Sequence, residues 1–393
     1  MLNPEEKESY VEAPVYWSGI FAMTLCVFVL IASEFMPVSL LTPIATDLNV
    51  TEGLAGQGIA ISGAFAVITS LMISRLAGEM NRKTLLLVLT AIMAVSGAIV
   101  ALAQSYTIYM LGRALIGLVI GGFWSMSAAM AMRLVPSSQV PKALAIFNSG
   151  NALAMVIAAP LGSYLGSIIG WRGAFLSLVP IAVLAFIWQW LSLPSMPATS
   201  HETEKQSSIW GLLRNPVVIM GMSAISLFFM GQFSLYTYVR PFLETITRVD
   251  ISTLSLILLG IGIMGFIGTA VINMFLKRRF YATLIIIPIM MAVIALSLVF
   301  FGTWTMVVAV LLCIWGFLAT AAPVGWWGWL ARTLPNDAEA GGGLMVAVIQ
   351  LAIALGSTLG GILFDHSGYQ ITFIVSALIL VISSILVLRL TMK

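Results

Sequence analysis

Twelve successive apolar runs constrain this chain more than any other feature, because about twenty residues with little charge is the length a helix needs to cross a bilayer. Cut at Pro, Gly and charge clusters, the runs occupy approximately 17–45, 54–76, 84–103, 107–131, 142–168, 173–193, 215–243, 252–275, 281–301, 304–330, 340–364 and 370–390. Of the 393 residues 60% are apolar and only 8% charged, against about 25% charged in a soluble domain. So few charges cannot cover a globule of this size. Nucleic-acid binding and activity as a secreted soluble enzyme are excluded, and an all-α membrane protein in the lipid bilayer is expected. A cleavable signal needs a basic start and a short apolar stretch. Here the start is acidic (Glu5, Glu6, Glu8, Glu12) and the first run is long, so the first span is expected to be retained. Cys26 and Cys313 lie singly inside apolar runs and suggest neither a disulfide framework nor a metal pair. No metal and no cofactor are expected.

Connections between the runs alternate between basic and nearly bare, the pattern that sets orientation in a membrane. One side collects Arg75, Arg82, Lys83, Arg133, Lys142, Lys205, Arg214, Lys277, Arg278, Arg279 and Arg332, with Lys7, Arg389 and Lys393 on the tails. The other holds Arg172 and Arg248. Both termini are therefore expected in the cytoplasm. The polar stretch from Leu193 to Asn215, with Pro194, Pro197, His201, Glu202, Glu204 and Lys205, reads as a linker between two six-span halves. The expected organisation is a cytoplasmic tail over 1–16, an N-terminal bundle over 17–193, a cytoplasmic linker over 194–214 and a C-terminal bundle over 215–393. His201 and His366 fall in loops and read as solvated.

The halves are copies of one another. Laying residue 35 on residue 233, an offset of 198, matches Phe35 with Phe233, Pro43 with Pro241, Gly162 with Gly360, Gly170 with Gly368 and Phe175 with Phe373. Two pseudo-symmetric six-helix bundles joined by a linker form the plan of a rocking secondary transporter with its substrate site between the halves. No GxxxxGK[ST] loop is present to cradle a nucleotide, so the driving energy is expected from an ion or substrate gradient. No catalytic cluster is visible and no enzyme is expected.

Several motifs resemble those of the major facilitator superfamily in its twelve-span drug/proton antiporter branch. SEFMPVSLLTP in span 1 is similar to the branch's signature of an acid, a Phe and Pro-Val, and LGRALIGLVIGG in span 4 is similar to its arginine motif. AAPLGSYLG in span 5 resembles the antiporter motif, with Ala158 and Ala159 where glycines are usual. SRLAGEMNRK keeps Arg82 and Lys83 of the superfamily's gating loop, with Gly78 where an Asp is usual. Within the branch, GGFWSMSAAMAMRLVP, GQFSLYTYVRP and VAVIQLA look most like patches of bacterial purine ribonucleoside efflux pumps. The resemblance implies the major facilitator fold and a monomer in a bacterial inner membrane. It further implies proton-coupled export of a small organic solute, with purine nucleosides as the substrate class.

Among the acidic residues only Glu34 lies well inside a span. A carboxylate in hydrocarbon is costly and marks a functional candidate. Desolvation and a nearby cation act on it in opposite senses, and a site that loads and releases a proton each cycle needs such a balance. The alternative is a Glu permanently bonded to polar neighbours. Arg113 in span 4 is the matching cation. At 1.5 Å per residue the two sit roughly 16 and 9 Å below their outer span ends, so long side chains can bring them level; the alternative is that Arg113 braces spans through backbone carbonyls. Neither has a charged twin, the repeat positions being Gln232 and Leu311.

For substrate the candidates are aromatic and amide side chains: Phe123, Trp124, Asn148, Asn151, Gln232, Phe233, Tyr236, Trp326 and Gln350. Amides in hydrocarbon need partners, and an aromatic face beside an amide suits a flat polar heterocycle; each of these residues alone also reads as packing. Arg240 joins them as a group able to meet a polar substrate, with snorkelling to the interface as the alternative and Glu244 four residues on as an ion-pair partner if the helix continues past Pro241. Trp327 and Trp329 read as an interfacial belt, and Arg172 as an interfacial anchor. Gly121-Gly122, Gly341-Gly342-Gly343 and Gly360-Gly361 read as close helix contacts. Three further readings stay open: multidrug or sugar efflux by proton antiport, a transporter-like membrane receptor that no longer transports, and a scramblase.

Overall fold

The computed structural model describes residues 15–197, 209–334 and 338–391. His201, most of the expected linker and the tail over 1–14 lie outside the described residues. Among the described residues there is no β-strand.

Six helices build the N-terminal half: α1 (Trp17–Leu48), α2 (Glu52–Ala77), α3 (Arg82–Ala101), α4 (Tyr106–Arg133) and a helical stretch over Val140–Ser192. That stretch is divided at Gly170 into α5 (140–169) and α6 (171–192). The C-terminal half repeats the scheme with α7 (Pro216–Tyr236), α8 (Ile251–Arg278), α9 (Phe280–Phe301), α10 (Thr305–Thr333) and a stretch over Ala338–Thr391, divided at Gly368 into α11 (338–367) and α12 (369–391). The starts follow side-chain capping chemistry. Asn81 accepts from the Lys83 amide, Asn215 from Val217 and Asp250 from Ser252. α1 stops at Asn49, which takes the left-handed conformation (φ 54°, ψ 47°).

Two features bear out the duplication. Gly170 has φ 74° and ψ 165°, and Gly368 has φ 76° and ψ 177°, a region open essentially to glycine alone. Both turns therefore bend the chain at the matched position and separate helices that otherwise run on. Each half also centres on its own apolar core, with Val38, Ile59 and Ala159 of the N-terminal half joining the C-terminal core and Tyr238 joining the N-terminal one.

The ends of the helices that carry Arg82, Arg133, Lys277, Arg278 and Arg332 share one face with the start of α1 and the end of α12. The opposite face carries the connections at 49–51, 102–105, 248–250 and 302–304 and is called here the far face. Between α2 and α3 Gly78 takes φ 43°, and Arg82 donates to its carbonyl oxygen at 3.4 Å.

α7 departs from the expected single span over 215–243. It breaks after Tyr236, resumes as a short turn over Val239–Phe242 and ends in a π-turn over Leu243–Thr247. Pro241 has no amide hydrogen for the Thr237 carbonyl, which removes one helical bond at the break. Tyr238 at the break donates its hydroxyl to the Ser357 carbonyl at 2.7 Å, and Thr237 and Ser357 share a 3.0 Å hydrogen bond, tying α7 to α11.

Of the glycine runs, Gly360 and Gly361 leave no room for a side chain: a Cβ on Gly361 would stand 3.0 Å from Gly53 in the other half. Gly343 faces open space, so the run at 341–343 is no uniform helix contact. Trp329 is fully buried rather than interfacial, because it fills the space left by Gly221 on α7, whereas Trp327 is exposed.

Candidate functional site

The site is built where α1 meets α11 and α7. Glu34 is 3% exposed, and the Gln350 Nε2 donates to its Oε1 at 3.2 Å, a bond that crosses from one half to the other. One residue along, Phe35 stacks on Phe233 with centroids 5.8 Å apart, and Phe233 meets Tyr236 edge-on at 6.1 Å. Phe35 and Phe233 are each other's repeat equivalents, so they touch across the pseudo-two-fold relation between the halves. Gln232, the repeat equivalent of Glu34, is buried and its Oε1 has no hydrogen-bond partner. The same is true of the Gln350 Oε1 and the Trp326 Nε1.

Arg113 is 1% exposed and spends its guanidinium on backbone and hydroxyl oxygens. It donates to the carbonyls of Ser33 at 2.6 Å, Glu34 at 3.1 Å and Gly58 at 3.0 Å, and to the Ser62 hydroxyl at 3.2 Å. The reason lies in α1. Pro37 lacks the amide hydrogen that would bond the Ser33 carbonyl four residues earlier, and Arg113 supplies the missing donor. The contact to residue 34 is to its carbonyl, so Arg113 fixes the backbone that carries the acid.

Arg240 repeats this chemistry at a second proline. Pro43 leaves the Ser39 carbonyl without its helical donor, and Arg240 donates to that oxygen from the other half. Its Nε also pairs with the Glu244 Oε1 at 2.8 Å, because the chain stays helical past Pro241. Arg240 is 4% exposed and does not snorkel: its guanidinium is held by the buried Ser39 carbonyl on α1 and by the half-buried Glu244 in the turn after α7.

Further toward the far face, the Thr358 hydroxyl donates to Gln57 Oε1 at 3.0 Å. The carboxylate of Asp365, on α11, accepts from the Thr51 hydroxyl and from the Gly53 amide at 3.0 Å. It thereby caps the first turn of α2, where a negative charge meets free amide groups and the positive end of the helix. Sequence reading passed over Ser39, Gln57, Tyr238, Thr358 and Asp365. Phe35 carried a signal, its repeat match; those five are polar groups toward span ends, which look alike until the halves are brought together.

The remaining candidates stand apart from this cluster. Phe123 is fully buried in the N-terminal core, stacked 6.2 Å from Phe147, with Trp124 edge-on to the same ring. Asn148 is exposed and bonds its own helix at Leu144, while Asn151 is half-buried. Trp326 is buried against Trp329 in the C-terminal core. Arg172 anchors the far face, pairing with Asp47 at 2.6 Å and donating to the Ala103 carbonyl.

A family model described as Major Facilitator Superfamily matches residues 23–342. The chain belongs to that superfamily. It is 63% identical over 98% of its length to a Pseudomonas aeruginosa protein named "Transcription regulatory protein OpdE", covering 94% of it. It is 40% identical over 94% of its length to the "Purine ribonucleoside efflux pump NepI" of Salmonella enteritidis, covering 93% of that protein. Among solved structures it superposes with a TM-score of 0.77 on a bacterial homologue of the human lysosomal transporter Spinster, at 15% identity over 95% of this chain and 96% of that one. A D-xylose–proton symporter gives 0.76, at 17% identity over 95% and 97%. The major facilitator fold expected from the sequence is therefore the fold observed, and the chain is a multi-pass membrane transporter of this superfamily, not an enzyme.

Proposed function

We propose that this facilitator is a proton-coupled antiporter that exports a small organic solute by alternating access, with Glu34 carrying the proton. The observation that carries the reading is the placement of Glu34: a deep carboxyl at the junction of the halves, bonded across it to Gln350. A proton taken up or lost there changes a contact that alternating access must make and break. The basic face is the cytoplasmic one by the distribution of Lys and Arg, which puts both termini inside a bacterial inner membrane, and the far face, closed by Asp365, Arg240 and Thr358, outside. The two bundles over 17–193 and 215–393 rock about this junction as monomers, with the linker over 194–214 between them.

For cargo we favour a neutral purine nucleoside. Phe35, Phe233 and Tyr236 offer ring faces, and the unpartnered Gln232 Oε1 offers an acceptor for a ligand's amino or hydroxyl group. The name of the relatives at 40% identity supports the same class. Everted vesicles with an imposed pH gradient should accumulate labelled purine nucleosides, and Glu34→Gln should lose that accumulation while keeping counterflow. Accumulation of lipophilic cations or pentoses in place of nucleosides would move the assignment to drug or sugar efflux.

A second reading follows from the name of the relative at 63% identity: a membrane sensor that regulates transcription and carries nothing. Counterflow separates the two, since a sensor binds solute without exchanging it.

A further inference from the structure

We propose that Gln350 is the positioning residue through which the closed far face senses the proton on Glu34; this rests on the reading of Glu34 as the proton carrier. The amide makes one bond to the acid, from its Nε2 to Glu34 Oε1 at 3.2 Å, and its other polar atom, Oε1, is buried without a partner. An ionised carboxylate only accepts hydrogen bonds, whereas a protonated carboxyl also donates one. The ionised acid therefore satisfies half of this amide. The protonated acid satisfies both halves in a cyclic pair, its O–H donating to the Gln350 Oε1 while the Gln350 Nε2 donates to its carbonyl oxygen. Proton uptake from water and release to water are the sole covalent changes.

Because Glu34 sits on α1 and Gln350 on α11, the added bond spans the two halves. Loading the proton tightens the far face, and losing it leaves a buried acceptor unpaired and loosens that face. This order suits antiport: the chain closes toward the outside with a proton aboard, and opens outward again once the proton has left and cargo has bound. The groups around this stretch of α1 leave the switch to this pair. α4 presents Arg113, already bonded to the carbonyls of Ser33 and Glu34, with Tyr109 held to the Ala55 carbonyl beyond it. α2 presents Ser62, and α7 presents Phe233 and the phenol Tyr236. Arg240 and Glu244 pair with each other.

The test uses the full chain in lipid nanodiscs, with Cys26 and Cys313 replaced by Ser and Thr358→Cys as a reporter at a half-buried position of the far face, where Thr358 bonds Gln57 across the halves. Labelling by a membrane-impermeant maleimide, corrected for thiol ionisation with a small-molecule thiol, should rise with pH by roughly threefold to tenfold, the population shift that one satisfied buried hydrogen bond supplies. Glu34→Gln, whose amide can form the same cyclic pair at every pH, should hold labelling at the low level throughout. Gln350→Leu and Gln350→Asn, which remove or withdraw the amide, should flatten the pH response at a higher level, and either one suffices if the other is not produced. A pH response that survives both Gln350 variants overturns the assignment. If Glu34→Gln still drives gradient-dependent accumulation, the proton-carrier reading itself fails; if it does not, while the Gln350 variants keep their pH response, only the role of Gln350 fails.

Discussion

Between α5 and α6 the chain turns at Gly170 with the same unusual backbone that Gly368 adopts between α11 and α12, yet the two halves carry different side chains where they meet. The N-terminal half brings Glu34 and Arg113; the matched positions of the C-terminal half hold Gln232 and Leu311. The scaffold is duplicated and the charge is not. Symmetry is what rocking demands of the backbone, whereas a single proton site needs one acid and one place to hold it. The Phe35–Phe233 stack marks the line along which the two halves remain alike.

Moving the acid across that line is the severest test of the comparison. Glu34→Gln should abolish uphill transport while exchange persists, measured in everted vesicles. Glu34→Gln combined with Gln232→Glu should not restore it, because α7 has no counterpart of Arg113 to hold the displaced acid. Restored uphill transport by the double variant would mean that the halves are interchangeable in chemistry as well as in backbone.

The two arginines sharpen the contrast next. Arg113→Ala leaves the Ser33 carbonyl without a donor, and a buried unpartnered group costs about 1–3 kcal/mol. Thermal unfolding in detergent should register that loss, and Pro37→Ala, which gives α1 back its amide hydrogen, should recover part of it. Arg240→Ala should cost a similar amount at Ser39 and also remove a tie between the halves. Pro43→Ala should therefore recover stability there without restoring protection of the far face from maleimide. Recovery of both would show that Arg240 serves only its carbonyl.

The smallest effects belong to the shared bends. A Cβ on Gly170 or Gly368 would meet nothing within 4 Å, so alanine is opposed by backbone conformation alone, at roughly 1–3 kcal/mol. The two single substitutions should lower the melting temperature by equal amounts; an unequal pair would reveal a difference between the halves that their backbones hide.

Most of the fold was legible in the sequence, because span length, basic loops and the repeat are properties of the chain read in order. Gly170 and Gly368 were legible as a repeat match, and the bends they make came only with the structure. The site was legible only in part. Glu34 stood out because a lone acid in an apolar run is rare, and Gln350 because an amide there needs a partner. Arg240 pointed toward snorkelling, since nothing local shows that Pro43, two hundred residues away, has freed a carbonyl for it. Phe123 looked equivalent to Phe233 until packing put one in a core and the other against Phe35. The polar groups that close the far face acquire meaning only from partners in the other half, which a linear reading does not bring together.

The two prolines of α1 also bear on how the chain enters the membrane. An arginine reaching the middle of a bilayer costs about 2.5–3.5 kcal/mol on insertion scales, and chains are made from the N-terminus. Every oxygen that receives Arg113 lies on α1 or α2, and the Ser39 oxygen that receives Arg240 lies on α1. α1, made before either arginine, thus arrives with vacant carbonyls, and each later arginine finds its acceptor already in the bilayer. A gene permuted to begin within the linker would reverse this order, delivering Arg240 to lipid before Ser39 had been translated.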